Sequence, residues 1–437
     1  MILSFVVSCQ MESLLIQSSP SSSLFADIPV EGGLPRPDGV LQSREDFIDT
    51  LDYLAFYQID ETIHFHVSDD YRSQFKNVYQ EFLQAHKCSE IASVFPVDLD
   101  RNAYDADSVI GLTLFANPSI ATREPLASAA DVTFVHPADY QRDCNARGEN
   151  FEAFPIDRKE TLEVDVADGN QLYYALCRGY RPRCKTEEVL RLYEAMRDVL
   201  RRIVADDMDE KTKVRQIYDF LTSEVCYDDL VASQQDSETV LSKSYYLEGV
   251  FLHRVAVCDG KSKAFVALAA IEGIAAVRIA AEDVDSKHAY NLVYVDKEWY
   301  LICTTYGSTR MEFEGEVYIV PSYNMFLTSR DTPYASWDYQ SAMHADIQEQ
   351  VRLEPYPYFA ESGLVFSDVE VLVNQIVDYG TRLPLANVKF DFALEGIEIE
   401  QVMEAIDDRK LGLSPLYLSE RNVGIETYSV LFLGGET

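Results

Sequence analysis

A cysteine, a histidine and a second cysteine stand in an order that can perform nucleophilic chemistry. Cys258 lies in Val255-Ala256-Val257-Cys258-Asp259-Gly260-Lys261-Ser262-Lys263-Ala264-Phe265. His288 follows thirty residues later, in Lys287-His288-Ala289-Tyr290-Asn291, and Cys303 ends the run Trp299-Tyr300-Leu301-Ile302-Cys303. A thiol attacks a carbonyl as its thiolate. An imidazole within reach takes the proton, and a third group on its far side holds its tautomer and orientation. An acid is the expected third group. A thiol is a weak donor and a weak acceptor.

The elements that must position these groups are legible. Cys258 opens a helical run with Ala264, Phe265, Leu268, Ala269 and Ile271 on one stripe and Gly273 as its stop. A helix N-terminus lowers the pKa of a thiol and offers free N–H groups to an oxyanion. Gly260 would let a substrate backbone approach closely. Val277–Ala281, Ala289–Val295 and Trp299–Ile302 read as strands, and Asp296-Lys297 as the tight turn between the last two. On that register Val295 pairs with Glu298, residue 290 faces 303 and 288 faces 305. His288 and Cys303 then share a sheet face as diagonal neighbours, within reach of long side chains. Upstream, Val189, Leu192, Tyr193, Met196 and Leu200 form a helical stripe after Thr186, and Val214, Ile217, Tyr218, Leu221 and Val225 another after Asp209.

Both flanks carry alternating helices and strands. Ser43 caps a helix with Phe47, Leu51, Leu54 and Ala55, Thr62–Val67 alternates as a strand, Phe75, Val78, Phe82 and Leu83 mark a helix, and Ser108–Phe115 a strand. Near the other end, Ser367 opens a helix with Val369, Leu372, Val373 and Ile376, and Asn387–Phe392 is a strand. Ile399, Val402, Met403 and Ile406 then form a stripe, followed by a strand over Tyr428–Leu433. One helix-strand-helix-strand unit used twice would explain both. The division expected is 1–40 anchor and linker, 41–184 an N-terminal α+β region, 185–310 the central domain and 311–437 a C-terminal α+β region.

The chain has 437 residues, 47% hydrophobic and 12% aromatic, enough for two or three globular domains. Its formal charge of −36 argues against nucleic-acid binding, which needs a basic footprint. No apolar run reaches the ~20 residues that span a bilayer. The eight cysteines (Cys9, Cys88, Cys144, Cys177, Cys184, Cys226, Cys258, Cys303) show no Cys-x-x-Cys pair and no zinc spacing, although Cys177 and Cys184 are close enough to bridge. His64 and His66 share one strand face without a third ligand nearby, and no His-Glu-x-x-His occurs. The 27 tyrosines fit core and domain packing better than glycan contacts.

At the N-terminus, Val6-Val7-Ser8-Cys9 resembles the lipobox of bacterial lipoproteins, and a Ser- and Pro-rich stretch over Ser18 to Pro37 follows it as a tether would. The expectation is an extracytoplasmic protein anchored by a lipid on Cys9. The alternative is a cytoplasmic chain, since the basic region of a signal peptide is missing.

Residues 186–307 resemble the transglutaminase-like superfamily in its bacterial form, related to papain-like cysteine proteases. The matching stretches are Tyr246–Leu252, Ala256-Val-Cys-Asp-Gly-Lys-Ser-Lys-Ala-Phe265, Glu272-Gly-Ile274, His288-Ala-Tyr-Asn291 and Val295–Leu301 running into Thr304-Thr-Tyr-Gly307, with Asp206–Val214 and Ile217–Leu221 upstream. The resemblance implies an α+β, papain-like core with the cysteine at the start of a helix packed on an antiparallel sheet. It implies acyl transfer or amide hydrolysis on a protein or peptide substrate, with Cys258 as nucleophile, His288 as base and no cofactor. It also exposes a departure, because the family's Asp-Thr-Thr is here Cys303-Thr304-Thr305. Asp283 or Asp285 could supply the acid, and a Cys258–Cys303 bridge would block the nucleophile. Two readings stay open: an exported cysteine enzyme, or a catalytically impaired lipoprotein whose domain binds or supports.

Overall fold

The computed structural model describes residues 33–59, 61–92, 97–100, 111–116, 123–140, 162–234, 242–282, 287–329, 345–382, 387–409, 416–422 and 425–432. The Cys9 motif, Asp283 and Asp285 lie outside them.

The first unit runs β1 (Val40–Leu41), α1 (Arg44–Phe56), β2 (Ile63–Val67), the one-turn α2 (Asp69–Arg72), α3 (Val78–Cys88), β3 (Val97–Leu99) and β4 (Leu112–Ala116). The sheet order is β1-β2-β4-β3, with β1 parallel to β2 and the other pairs antiparallel. Ser43 caps α1 by accepting the N–H of Asp46. Phe75 falls before α3, which starts only after the cap Asn77.

The middle runs β5 (Thr133–Phe134), β6 (His136–Pro137), β7 (Glu163–Val166), α4 (Gly169–Cys177), β8 (Arg181–Cys184), α5 (Glu187–Ile203), α6 (Glu210–Ser223), β9 (Cys226–Tyr227), α7 (Asp229–Ser233) and β10 (Val255–Ala256). Then come α8 (Cys258–Ile271), β11 (Ala276–Glu282), β12 (Lys287–Val295), β13 (Glu298–Ile302), β14 (Ser308–Phe313) and β15 (Glu316–Pro321). Thr186 and Asp209, the residues just before the two stripes, cap α5 and α6. Strands β11, β12 and β13 form an antiparallel meander. Helix α8 packs on β11 and β12 and is buried from Gly260 through Ala269, so it is a core helix covered on all sides.

After α9 (Ala345–Gln350) and α10 (Tyr358–Glu361) come β16 (Val365–Phe366), α11 (Val369–Arg382), β17 (Val388–Leu394), α12 (Ile399–Asp408), β18 (Leu416–Asn422) and β19 (Ile425–Phe432). Their sheet is ordered β16-β17-β19-β18, again with the first pair parallel and the rest antiparallel. Apart from the single turn of α2, this is the same chain order, strand order and strand sense as the first unit. Two details differ from the sequence reading. Asp368, not Ser367, caps α11 by accepting the N–H of Val371. Met403 is 38% exposed, while Val402 and Ile406 carry the buried stripe.

A short segment ties this C-terminal sheet to the middle. Thr133 and Phe134 pair with β15, His136 and Pro137 pair with β17, and Val135 between them packs with Val320 and Leu431. Helix α6 contributes Asp219 beside this junction. Asp219 is fully buried, and neither carboxylate oxygen makes a well-formed hydrogen bond among the described residues. Burial pushes its pKa up to about 8, against the pull of Arg215. A carboxyl held above its unfolded value of 3.8 contributes stability in acid that is lost as pH rises through about 8. Asp219→Asn is therefore expected to flatten the fall in stability between pH 4 and 8 in urea titrations. An unchanged slope would contradict the assignment.

Candidate active site

The hairpin of β12 and β13 turns on Asp296 and Lys297, at φ 52° and 72°. Two successive left-handed residues make the turn whose twist matches paired strands. The ladder runs from Val295↔Glu298 to Asn291↔Ile302, the register that the sequence predicts. Beyond Ile302 the chain departs from it. The Cys303 N–H donates to the Met325 carbonyl at 3.0 Å, and the Gly307 N–H returns to the Cys303 carbonyl at 3.0 Å. Residue 305 therefore does not extend the ladder opposite 288.

The diagonal contact survives this turn. His288 Nε2 lies 3.2 Å from Cys303 Sγ, with both residues buried. Cys303 Sγ also accepts the Tyr306 N–H at 3.4 Å. The half-exposed Tyr306 ring covers the imidazole, 4.6 Å between centroids. Cys303 thus occupies the place beside His288 where an acid was expected. Cys258 and Cys303 are both free thiols.

Cys258 is the first residue of α8, and Val257 before it supplies no capping side chain. The first-turn N–H groups are therefore left for other partners. The backbone N–H groups of Ala289 and Asp259 and the Tyr227 hydroxyl act on the sulfur and favour its charged form. Ala289 neighbours His288, so the helix start and strand β12 meet at the nucleophile. Tyr227 arrives on β9, which pairs in parallel with β10, Tyr227 opposite Ala256. The fully buried Asp228 fixes the following turn by accepting from the N–H groups of Leu126, Ala127 and Val231 and from the Ser244 hydroxyl. Sequence reasoning missed Tyr227, because a two-residue strand has no periodic signal.

Two expectations are overturned here. Gly260 does not make room for substrate. A Cβ there would come within 2.3 Å of the Ser244 carbonyl oxygen, which itself accepts the Val257 N–H at 3.0 Å. The glycine lets α8 press against that backbone. Nor is the Cys258 thiol lowered. Burial raises its pKa, the Asp259 carboxylate adds to this, and the N–H groups of Ala289 and Asp259 and the Tyr227 hydroxyl only moderate the rise.

Burial also pushes His288 down to about 4 and Cys303 up to about 12, the latter against the backbone N–H groups of Tyr306 and Thr305 and against Lys261. Near neutral pH the site holds a thiol, a neutral imidazole and a second thiol. Burial would raise Asp259 as well, but Lys263 at 2.5 Å and Arg278 at 2.7 Å hold it below the usual carboxylate range. Elsewhere, His64 and His66 fall on the exposed face of β2, with His64 Nδ1 2.9 Å from the Thr113 hydroxyl.

A thiol at a helix start, an imidazole on the neighbouring strand and a second thiol at the end of the hairpin together form the candidate site. Residues 197–302 match the family model of the transglutaminase-like superfamily, and the chain carries a domain of that superfamily there. Among solved structures, the chain is similar to a protein described as a TGase, at 16% identity and a TM-score of 0.24, over 32% of this chain and 46% of that one. It is also similar to a protein from Cytophaga hutchinsonii described as a candidate cysteine protease, at 12% identity and a TM-score of 0.21, over 48% of this chain and 62% of that one. The matched region thus spans less than two thirds of either protein. The comparison with curated proteins gives no match.

Two predictions follow from the geometry. Gly260→Ala should destabilise the fold by about 1–3 kcal/mol in thermal or urea unfolding, as overpacking does, although alanine favours helices. A stability gain would contradict the close approach. Alkylation of Cys258 by iodoacetamide, mapped by peptide mass, should climb with pH past the ordinary thiol value of 9.0. A plateau of reactivity between about pH 5 and 8, the mark of a preformed thiolate–imidazolium pair, would contradict the neutral resting site.

Proposed function

We propose that the chain is a transglutaminase-like cysteine enzyme that forms a thioester at Cys258 from an amide group of a protein or peptide. The observation that carries this reading is the contact of His288 Nε2 with Cys303 Sγ at 3.2 Å, on the strand against which the helix opened by Cys258 packs. With Nε2 engaged there, Nδ1 is the nitrogen left to take a proton. The Cys258 proton passes to His288 as the sulfur–carbon bond forms and the carbonyl becomes an oxyanion. The imidazolium returns the proton to the departing amine as the carbon–nitrogen bond breaks. A water or an amine then attacks the thioester. The Tyr227 hydroxyl acts on the sulfur and would donate to the oxyanion, two bonds from it. The lipobox-like Val6-Val7-Ser8-Cys9 supports an extracytoplasmic setting with a lipid on Cys9.

A second reading is favoured by one observation. The third group is a buried thiol instead of a carboxylate, and loss of the acid costs a related triad about 10⁴-fold. On that reading the domain is a binding or structural module.

Labelling by an amide-mimicking electrophile decides between them. Label should map to Cys258, vanish in Cys258→Ala and fall about a hundredfold or more in His288→Ala, the range that a general base contributes. Equal labelling of wild type and His288→Ala would remove the enzyme reading.

A further inference from the structure

Arg215, Asp219 and Ser223 stand four apart on α6, and residues at that spacing share one face of a helix. The outer two both hold the segment 133–140. Arg215 Nη1 pairs with the Asp139 carboxylate, and the Ser223 hydroxyl lies 3.4 Å from His136 Nδ1. Just past Ser223, Glu224 accepts the Tyr140 hydroxyl at 2.7 Å and is itself held by Arg202. Asp219 therefore sits under the middle of the segment. The other side of the segment grips β17 and its neighbour. The His136 N–H donates to the Asn387 carbonyl at 3.0 Å, and the Ala138 N–H to the Lys389 carbonyl at 2.9 Å. Residues 133–140 are thus a strap between α6 and the C-terminal sheet. The strap pairs with β15 and with β17 by only two residues each, so its anchorage on α6 matters to its hold.

Asp219 is fully buried beneath this strap, without a well-formed hydrogen bond to either carboxylate oxygen among the described residues. The groups that face it come from several elements. Arg215 shares its helix, and Asp139 and Tyr140 belong to the strap. Tyr323 follows β15, Tyr358 lies on α10 and Asp391 on β17. The cations are already engaged, Arg215 by Asp139, and Lys389 by Asp391 at 3.1 Å and by the Pro321 carbonyl. We infer that the strap is a proton-controlled latch, held shut while Asp219 is a neutral acid and released when Asp219 gives up its proton and takes Arg215 from Asp139. The Asp219 O–H bond breaks and the proton goes to water. The guanidinium moves to a carboxylate four residues along its own helix, and the half-exposed Asp139 turns to solvent. Under the closed strap, burial holds the Asp219 carboxyl up to about 8, and exposure on release returns it toward 3.8. Opening therefore sheds a proton between those values. It becomes easier as pH rises from about 4 to 8 and levels off above. The latch also borders the candidate site. The Ser322 carbonyl accepts the hydroxyl of Tyr218, beside Asp219 on α6, at 2.6 Å. The Ser322 N–H donates to the Gly307 carbonyl at 2.7 Å, in the turn that Cys303 begins. The latch stands whether or not Cys258 forms a thioester.

Hydrogen exchange of the full chain tests the latch, read by mass spectrometry on peptides of the strap and of α8 between about pH 5.5 and 7.5. Each rate is divided by that of an unprotected amide at the same pH. In wild type the strap should open more readily than α8 at every pH, and its protection should fall about tenfold or more across the range. In Asp219→Asn, which has no proton to shed, the fall should stay under about twofold. Asp139→Asn leaves Arg215 to Asp219 from the start. Its strap should exchange faster than that of wild type at the acid end and lose most of the pH dependence. A strap that exchanges only together with α8 would overturn the latch, since the opening would then be global. So would a fall repeated in Asp219→Asn, as titration of His136 in the strap would give. If Asp219→Asn failed to fold, an unchanged pH dependence in Asp139→Asn, a change at a half-exposed side chain, would overturn it alone.

Discussion

The register of one hairpin sets the site. Two left-handed residues, Asp296 and Lys297, fix Val295 against Glu298, and every later pair follows. A slip of one residue would send His288 to the opposite face of β12 and separate it from Cys303. The helix side of the site is fixed as firmly. Gly260 seats α8 on the Ser244 backbone, and the Asp259 carboxylate is clamped by Lys263 and Arg278.

Burial is the second constraint, and it works against charge at every position. It raises Cys258 and Cys303 and lowers His288 and Lys261. A site of this kind does not rest as an ion pair. It develops charge only when a proton moves between neighbours, which ties its reactivity to the arrangement of groups more than to any one of them. The same burial gives the domain its stability, since α8 is covered on all sides. Around this centre, two units of identical strand order and sense flank the domain, one before it and one after. The second is bound to the middle by the pairing of residues 133–137 with both β15 and β17.

Much of this was legible because the relevant signals are local. The Asp296-Lys297 turn between two apolar runs predicted the hairpin and its register, and Ser43 is the cap that its position predicted. The duplicated unit showed in the order of its elements. What failed depended on contacts from far along the chain. Gly260 faces Ser244, which no nearby pattern reveals, and Tyr227 reaches Cys258 through a strand pair too short to read. The thiol at 258 was expected to be lowered by its helix, and burial together with Asp259 reversed that.

The chemistry of the site turns on which nitrogen of His288 carries the proton. Nε2 must bear it and donate to Cys303 if Nδ1 is to take the proton of Cys258. The ¹⁵N chemical shifts of the His288 ring, followed between about pH 5 and 9 and assigned by comparison with His288→Gln, report tautomer and charge together. The prediction is a neutral imidazole protonated at Nε2 throughout that range. A ring protonated at Nδ1 with Nε2 bare would contradict it, because Cys303 would then be the donor and His288 could not serve Cys258 as a base.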